Sequence, residues 1–425
     1  MNILFINPNY PEKAKSYLIL PSLEISIMSS LLEIHGHKTF MLDLKIDDLD
    51  YRCLRNRLTE YKFDVVCIES VIQDHCEALK IIKEVKNLYP KVPIVLRGEI
   101  TSFLPRETLE HCPELDIAMR FENEFTFLNL VKSIENNEQL FEIPNIAFRD
   151  TNKNIVVTNL EEPIKNLDLL PLPNRELWDI KKYYRRSLET IVRSTRGCPG
   201  GCKFCNKTKL APFREFSINR FCDEIENLIK LGFNQFFFSD DSFSYSEKRI
   251  EDFVTEVKKR NLKIKFTSNM RIVDITEKKI KLLKEAGAYR FFVGVETVNS
   301  ASSKLINKNI HVENIKKKLQ IIKDYGLEFH ASFIIGSPGD TKSDLESTIE
   351  FIKEIKPTLI SANQLKPMPG TDIYNYPEKY GVHMPDPFWF ERDEWTEGSI
   401  CSTDSFTAEE IMEWKKKVLL SYMFI

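Results

Sequence analysis

Three cysteines, Cys198, Cys202 and Cys205, stand in the segment Thr195-Arg-Gly-Cys-Pro-Gly-Gly-Cys-Lys-Phe-Cys-Asn206 with the spacing C-x3-C-x2-C. Thiolates so close together can converge on one soft centre, because they select iron–sulfur clusters, zinc or copper(I). No fourth ligand follows: the next cysteine is Cys222, and no histidine lies between. A non-catalytic zinc or iron–sulfur binding module would require that fourth ligand. A three-cysteine iron–sulfur cluster instead leaves one iron open to a small molecule. Cys53, Cys67, Cys76, Cys112, Cys222 and Cys401 are scattered and read as small buried hydrophobes.

The chain that must position this motif has 425 residues, room for two or three domains. Its 42% hydrophobic content supports a sizeable core, and a net charge of −3 gives no sign of a nucleic-acid binder. The opening Met1-Asn-Ile-Leu-Phe-Ile-Asn-Pro8 has no basic region of the signal-peptide kind. No apolar run approaches the roughly 20 residues of a membrane span. Nine cysteines, an odd number, point to a reducing compartment. The expectation is a cytoplasmic protein with no membrane and no nucleic-acid partner.

Residues 1–165 alternate apolar strands (Asn2–Asn7, Thr39–Leu44, Asp64–Ser70, Pro93–Arg97, Asp116–Met119) with helical stretches (Leu23–His35, Glu77–Leu88, Glu124–Ile134). Continuous apolar strands between helices indicate a doubly wound, Rossmann-like parallel sheet. Such sheets bind ligands at the carboxyl ends of their strands. That places Asn7, Ser70, Gly98 and Glu99 on the candidate lip, together with Arg120-Phe-Glu122. Residues 166–187, punctuated by Pro171 and Pro173, read as a linker.

Residues 188–375 repeat a βα rhythm. The expected strands are Leu188–Ser194, Gln235–Ser239, Lys263–Ser268, Arg290–Val295, Glu328–Ile335 and Leu359–Gln364, with helices between them. Six units suggest a partial βα barrel, in which functional groups follow strand ends. The cysteine loop occupies the first such position. Asp240-Asp241, Ser268-Asn269-Met-Arg271, Gly294-Val-Glu296, Gly336-Ser-Pro338-Gly339 and Lys366-Pro-Met-Pro-Gly370 occupy later ones. Asp240 could also cap a helix, and the Gly–Pro segments could be plain turns. Residues 376–425 form a short extension. It holds an aromatic cluster (Pro385-Asp-Pro-Phe-Trp-Phe390, Trp395) that could pack or shape a pocket, and a last helix over Ala408–Met423.

Cys-x3-Cys-x-Phe-Cys after the first strand of a six-unit barrel resembles the radical S-adenosylmethionine (SAM) superfamily. The resemblance implies that Cys198, Cys202 and Cys205 hold a 4Fe-4S cluster whose fourth iron is chelated by SAM. It implies Phe204 near the adenine, with Asp240, Ser268, Asn269, Arg271 and Glu296 for the ribose and amino-acid parts. Gly336 and Pro338 match the turn that lines the adenine. The N-terminal region resembles the cobalamin-binding domain of the cobalamin-dependent subgroup, through its Asn-Pro opening, Pro21-Ser-Leu-Glu24 and Val95-Leu-Arg-Gly-Glu-Ile-Thr101. Asn7, Ser70, Gly98 and Glu99 are then its cobalamin contacts. The chain departs from that pattern at Arg97-Gly98 and Arg120-Phe-Glu-Asn-Glu124, where the subgroup shows more glycine, and it offers no Asp-x-His-x-x-Gly.

The implied reaction is reductive SAM cleavage to a 5′-deoxyadenosyl radical, followed by cobalamin-dependent methylation of an unactivated carbon. The alternative is a vestigial cobalamin domain and a non-methylating radical reaction, such as rearrangement, epimerisation or carbon–carbon bond formation. Implied partners are a small-molecule or peptide substrate and an electron donor such as a flavodoxin or ferredoxin.

Overall fold

A computed structural model of the chain describes residues 1–11, 19–384 and 401–423. They divide into two compact units, with the division between Leu188 and Glu189.

The first unit is built on a seven-stranded sheet. Its strands are β1 (Asn2–Asn7), β2 (Lys38–Asp43), β3 (Val65–Ser70), β4 (Ile94–Gly98), β5 (Ile117–Met119), β6 (Ile146–Arg149) and β7 (Ile155–Val157). The order is β2-β1-β3-β4-β5-β6-β7. Ile3 and Phe5 of β1 pack toward the helix Leu23–Ile34, while Leu4 and Ile6 pack toward the helix His75–Leu88. Both faces are buried, so the strand reads as one apolar run rather than an alternation. The parallel part ends at β5. β6 and β7 add an antiparallel edge, turned at Asp150 to Asn154, where Lys153 takes a left-handed φ of 65°. Neither edge strand was expected: each is short, and the sequence between them is polar enough to pass for a loop.

The proline-rich linker does contain a helix, Ile180–Ser187, which begins seven residues beyond Pro173. Trp178 donates from Nε1 to Ser26 Oγ at 2.8 Å. Tyr183 is buried at the carboxyl ends of β1 and β2, bonded to the Asp43 carboxylate and reached by Asn7 Nδ2 at 3.4 Å.

The second unit holds β8 (Thr190–Val192), the antiparallel pair β9 (Thr195–Arg196) and β10 (Arg214–Glu215), then β11 (Gln235–Phe238), β12 (Lys265–Arg271), β13 (Ala288–Glu296), β14 (Glu328–Ile335) and β15 (Leu359–Gln364). The six-stranded sheet runs β8-β11-β12-β13-β14-β15, every pair parallel. Each crossover therefore reaches the adjacent strand, as a partial barrel requires. Its helices start on polar caps: Ser217, Ser246, Thr276 and Thr341 each accept a bond from the amide three residues on. Such a cap contributes about 1 kcal/mol. Phe238 and Phe266 stack 4.1 Å apart between the sheet and the helices, ringed by Phe243 and Phe253. The last helix, Ala408–Tyr422, packs on β15 and on the helix Lys342–Ile355. The aromatic cluster at 385–395 lies outside the described residues.

Among the strand bounds that differ from expectation, two bear on the site. The first barrel strand starts at Thr190, because Leu188 is the left-handed cap (φ 58°) of the preceding helix. The third runs on to Arg271, so Asn269 and Arg271 sit on the strand itself. In the first unit, Gly98 has φ 148°, and a Cβ there would lie 1.9 Å from the Ser70 carbonyl oxygen. Gly98→Ala should therefore destabilise the protein by roughly 1–3 kcal/mol or more, read as a lower denaturant midpoint; an unchanged midpoint would contradict this packing.

Candidate functional site

One cavity of about 390 Å³ opens among the barrel strands of the second unit. Cys198, Cys202 and Cys205 all line it, with Phe204, Asp241, Asn269, Arg271 and Glu296. The loop that carries the thiols is tied down on both sides. Its root, Ser194, donates its amide to Asp240 Oδ1 at 3.0 Å and its hydroxyl at 2.8 Å, and Thr195 Oγ1 adds a third donor at 2.7 Å. The Ser194 carbonyl accepts from Arg249 Nη2 at 2.8 Å. Farther along, Lys203 N donates to the Ile306 carbonyl at 3.1 Å, and Asn307 Nδ2 donates to the Gly201 carbonyl at 2.8 Å.

Glycine lets the backbone crowd the sulfurs. A Cβ on Gly200 would lie 3.3 Å from Cys198 Sγ and 3.8 Å from the Arg271 guanidinium. The Gly200 amide donates to that sulfur at 3.4 Å. Burial raises the Cys198 thiol and pushes Cys205 up to about 11. Both are protonated at neutral pH without metal, so loading iron releases protons. Among the described residues no three His, Cys, Asp or Glu side chains converge on a single ion. Thiolates that each take a separate iron of one cluster need no such convergence.

Opposite the loop, β13 breaks its register between Gly294 and Glu296. Glu296 takes φ 71°, an uncommon conformation for a non-glycine residue and one found where bulges re-aim a side chain. Its carboxylate folds back over Gly294, where a Cβ would meet Oε1 at 2.3 Å. It ends 3.2 Å from Lys308 Nζ. Burial pulls the Lys308 ammonium down, but Glu296 and Cys202 outweigh it and hold the group above its ordinary value.

Several expected residues lie elsewhere. Asp240 is fully buried and spends its carboxylate on Ser194 and Thr195, so it positions the loop rather than facing the cavity. Ser268 is fully buried on the strand face shared with Phe266. Gly336 lies against the last helix, where a Cβ would come within 2.8 Å of Ile411 Cδ1, and Pro338 is buried in the same turn. Neither is among the residues that line the cavity. Asp340 closes that turn and accepts from Thr297 Oγ1 at 3.0 Å.

The cavity also takes in Asn307, Lys308, Phe292, His330, Ser332 and Ser361, none of them expected. Glu328-Phe-His-Ala-Ser-Phe333 alternates polar and apolar residues with a period of two, which marks His330 and Ser332 as one strand face. Lys308 sits in a loop and carried no such signal.

In the first unit, Asn7 Nδ2 is held by Asp43 Oδ1 at 2.8 Å, and Ser70 Oγ meets His75 Nδ1 at 3.0 Å. Glu99 begins a short helix directly after Gly98. Arg97 is buried, paired with Glu69 and bonded to Asn123 Oδ1 at 3.2 Å. Arg97 thus packs inward rather than across the lip. His75 is buried, and burial alone pushes it down to about 4.

Residues 192–352 match the radical SAM superfamily, and residues 13–131 match the B12-binding domain. The chain thus carries both a radical SAM domain and a B12-binding domain. It is a radical SAM enzyme whose cofactors are a 4Fe-4S cluster, SAM and cobalamin. It is 27% identical to an uncharacterized methyltransferase of Pyrococcus horikoshii, over 95% of this chain and 87% of that protein. It is equally 27% identical to the anaerobic magnesium-protoporphyrin IX monomethyl ester cyclase of Rubrivivax gelatinosus, over 88% of this chain and 69% of the cyclase. Its fold is shared by the radical SAM methyltransferase TsrM of Kitasatospora setae, solved with cobalamin and a 4Fe-4S cluster (TM-score 0.76, 18% identity, 91% of this chain and 79% of that one).

The residues present fit these groups. Three half-buried thiols line one cavity, and a glycine leaves room beside Cys198. At the strand ends of the first unit, apolar Val71 is exposed beside the half-buried Glu99, a surface suited to a macrocycle with a polar rim. His75 beneath it is buried and bonded to Ser70 through Nδ1.

Two outcomes follow. Cys202→Ala should abolish the visible iron–sulfur absorption after anaerobic reconstitution; survival of the chromophore would remove Cys202 from the ligand set. Burial also raises Asp340 to about 7. The folded state then binds more protons than the unfolded one between about pH 4 and 7, so its contribution to stability falls as pH rises through that window. Asp340→Asn should flatten this fall and be the more stable protein at pH 8, by on the order of a few kcal/mol; parallel pH curves would refute it.

Proposed function

We propose that this enzyme methylates an unactivated carbon of a small-molecule or peptide substrate in a cobalamin-dependent reaction, beginning at a cluster held by Cys198, Cys202 and Cys205. The observation that carries the reading is the convergence of these thiols with Asn269, Arg271, Glu296 and Lys308 on one barrel cavity, in a chain that also has a B12-binding domain. When bound, a 4Fe-4S cluster with SAM would supply the radical chemistry for removing a substrate hydrogen atom, and cobalamin would supply the methyl group.

The protein's own groups then have separable tasks. Asp240 and Arg249 fix the root of the cysteine loop. Glu296 and Lys308 offer one acceptor and one donor side by side, which suits a zwitterionic amino-acid group. Arg271, beside Cys198, offers a second cation for a carboxylate. Phe204 provides an aromatic face, packed from behind by Leu365 and Ile373. Met270, Ile272, Phe292 and Val293 add an apolar part to a wall that also holds His330, Ser332 and Ser361, and that part limits water near a reactive intermediate. The reductant in this proposal is a one-electron protein of the flavodoxin or ferredoxin class.

The likeness to the anaerobic cyclase supports a second reading, a non-methylating radical reaction. The two differ in a countable product. Cobalamin-dependent methylation would consume a second SAM and leave S-adenosylhomocysteine. The test is anaerobic purification, cluster reconstitution, incubation with hydroxocobalamin and desalting. Retained cobalt, and both S-adenosylhomocysteine and 5′-deoxyadenosine after SAM and reductant are added, are expected. No retained cobalt sinks the methylation reading, and 5′-deoxyadenosine alone favours the second.

A further inference from the structure

The cysteine loop has an outer side as well as a cavity side. Lys203, within the loop, bonds Asp372 Oδ2 at 2.6 Å, and the Ile373 amide donates back to the Lys203 carbonyl at 3.3 Å. This brings the segment Asp372–Tyr380 alongside the loop. Lys207 and Lys209 follow Cys205 and are exposed, as is Lys379. Lys304 is exposed two residues before Ile306, whose carbonyl binds the loop. The carboxylates in the same segments are Asp372 and Glu378. Asp372 is held below the usual carboxylate range, first by its bond to Lys203 and further by Lys209 and Lys379, so all three lysines lie within reach of one carboxylate.

A chain of net charge −3 thus carries a lysine-rich rim beside its cysteines. Tyr376, 61% exposed, and Leu305, 42% exposed, stand within the rim. Cations around an exposed aromatic residue make a surface suited to an acidic partner: the charges steer approach, and the aromatic anchors the contact.

We propose that this rim is the docking surface for a small acidic one-electron carrier protein. The proposal rests on the cluster assignment above, because the carrier would pass one electron to that cluster. The carrier is oxidised by one electron, the cluster is reduced by one, and no atom changes hands. Electron transfer falls steeply with distance, and this face brings a carrier up to the thiols without using the cavity.

The test uses the anaerobically reconstituted full chain and two probes, a flavodoxin and a plant-type ferredoxin, with affinity measured by calorimetry. At least one probe should bind, and its Kd should rise steeply with salt. The double variant Lys209→Glu/Lys379→Glu should weaken binding about tenfold or more and flatten the salt dependence. Lys281→Glu/Lys317→Glu, on other helices of the same unit, should bind as the wild type does. SAM cleavage driven by dithionite should be equal in all three proteins. Binding of neither probe, or equal binding by both double variants, would overturn the proposal. A wild-type protein that cleaves no SAM with dithionite would instead overturn the cluster reading, so the two failures are distinct.

Discussion

A single buried carboxylate anchors the chemistry of this enzyme. Asp240, at the end of β11, receives the Ser194 amide, the Ser194 hydroxyl and the Thr195 hydroxyl. Burial raises its pKa while those donors pull it down. An aspartate with no solvent and several inward donors has little freedom to turn. The cysteine loop leaves β8 through these two residues, so the position of the thiols depends on the neighbouring strand. Arg249 completes the clamp from the following helix, holding the Ser194 carbonyl.

That arrangement explains what the sequence could reveal and what it could not. The cysteines and the βα rhythm were legible because each has a simple period or spacing. Asp240 was legible as functional but not in its role: an inward aspartate, a helix cap and a ligand all look alike after an apolar strand. Gly336 presents a related ambiguity. A glycine that admits Ile411 and a glycine that admits a ligand are the same letter, and only the position of the last helix separates them. Phe292, His330 and Ser332 were recoverable from strand alternation. Lys308 was not, since only the fold brings its loop to the bulge at Glu296. The edge strands β6 and β7 were too short to rise above the loops around them.

The two units use their strand ends differently. In the barrel, glycines at 200 and 294 clear space and the polar groups face a cavity. In the first unit, the polar groups largely satisfy one another: Asn7 with Asp43, Ser70 with His75, and Lys45 with Asp74 at 2.6 Å. Buried polar groups left unpaired are costly, so this self-pairing lets the sheet end stay folded whether or not a corrinoid is present. The barrel cavity, lined by three thiols and the strained Glu296, has more to gain from its ligands.

The ties on the cysteine loop also bear on timing during synthesis. Gly201 is held by Asn307, 106 residues later, and Lys203 by Asp372, 169 residues later. A ribosome that has just released the cysteines has made none of these partners. The loop can take its final shape only when most of the barrel has emerged. Iron delivered earlier would meet three cysteines on a mobile strand, open to oxidation and to the wrong metal. The geometry that holds the thiols is therefore completed late, with the barrel rather than with the appearance of the cysteines.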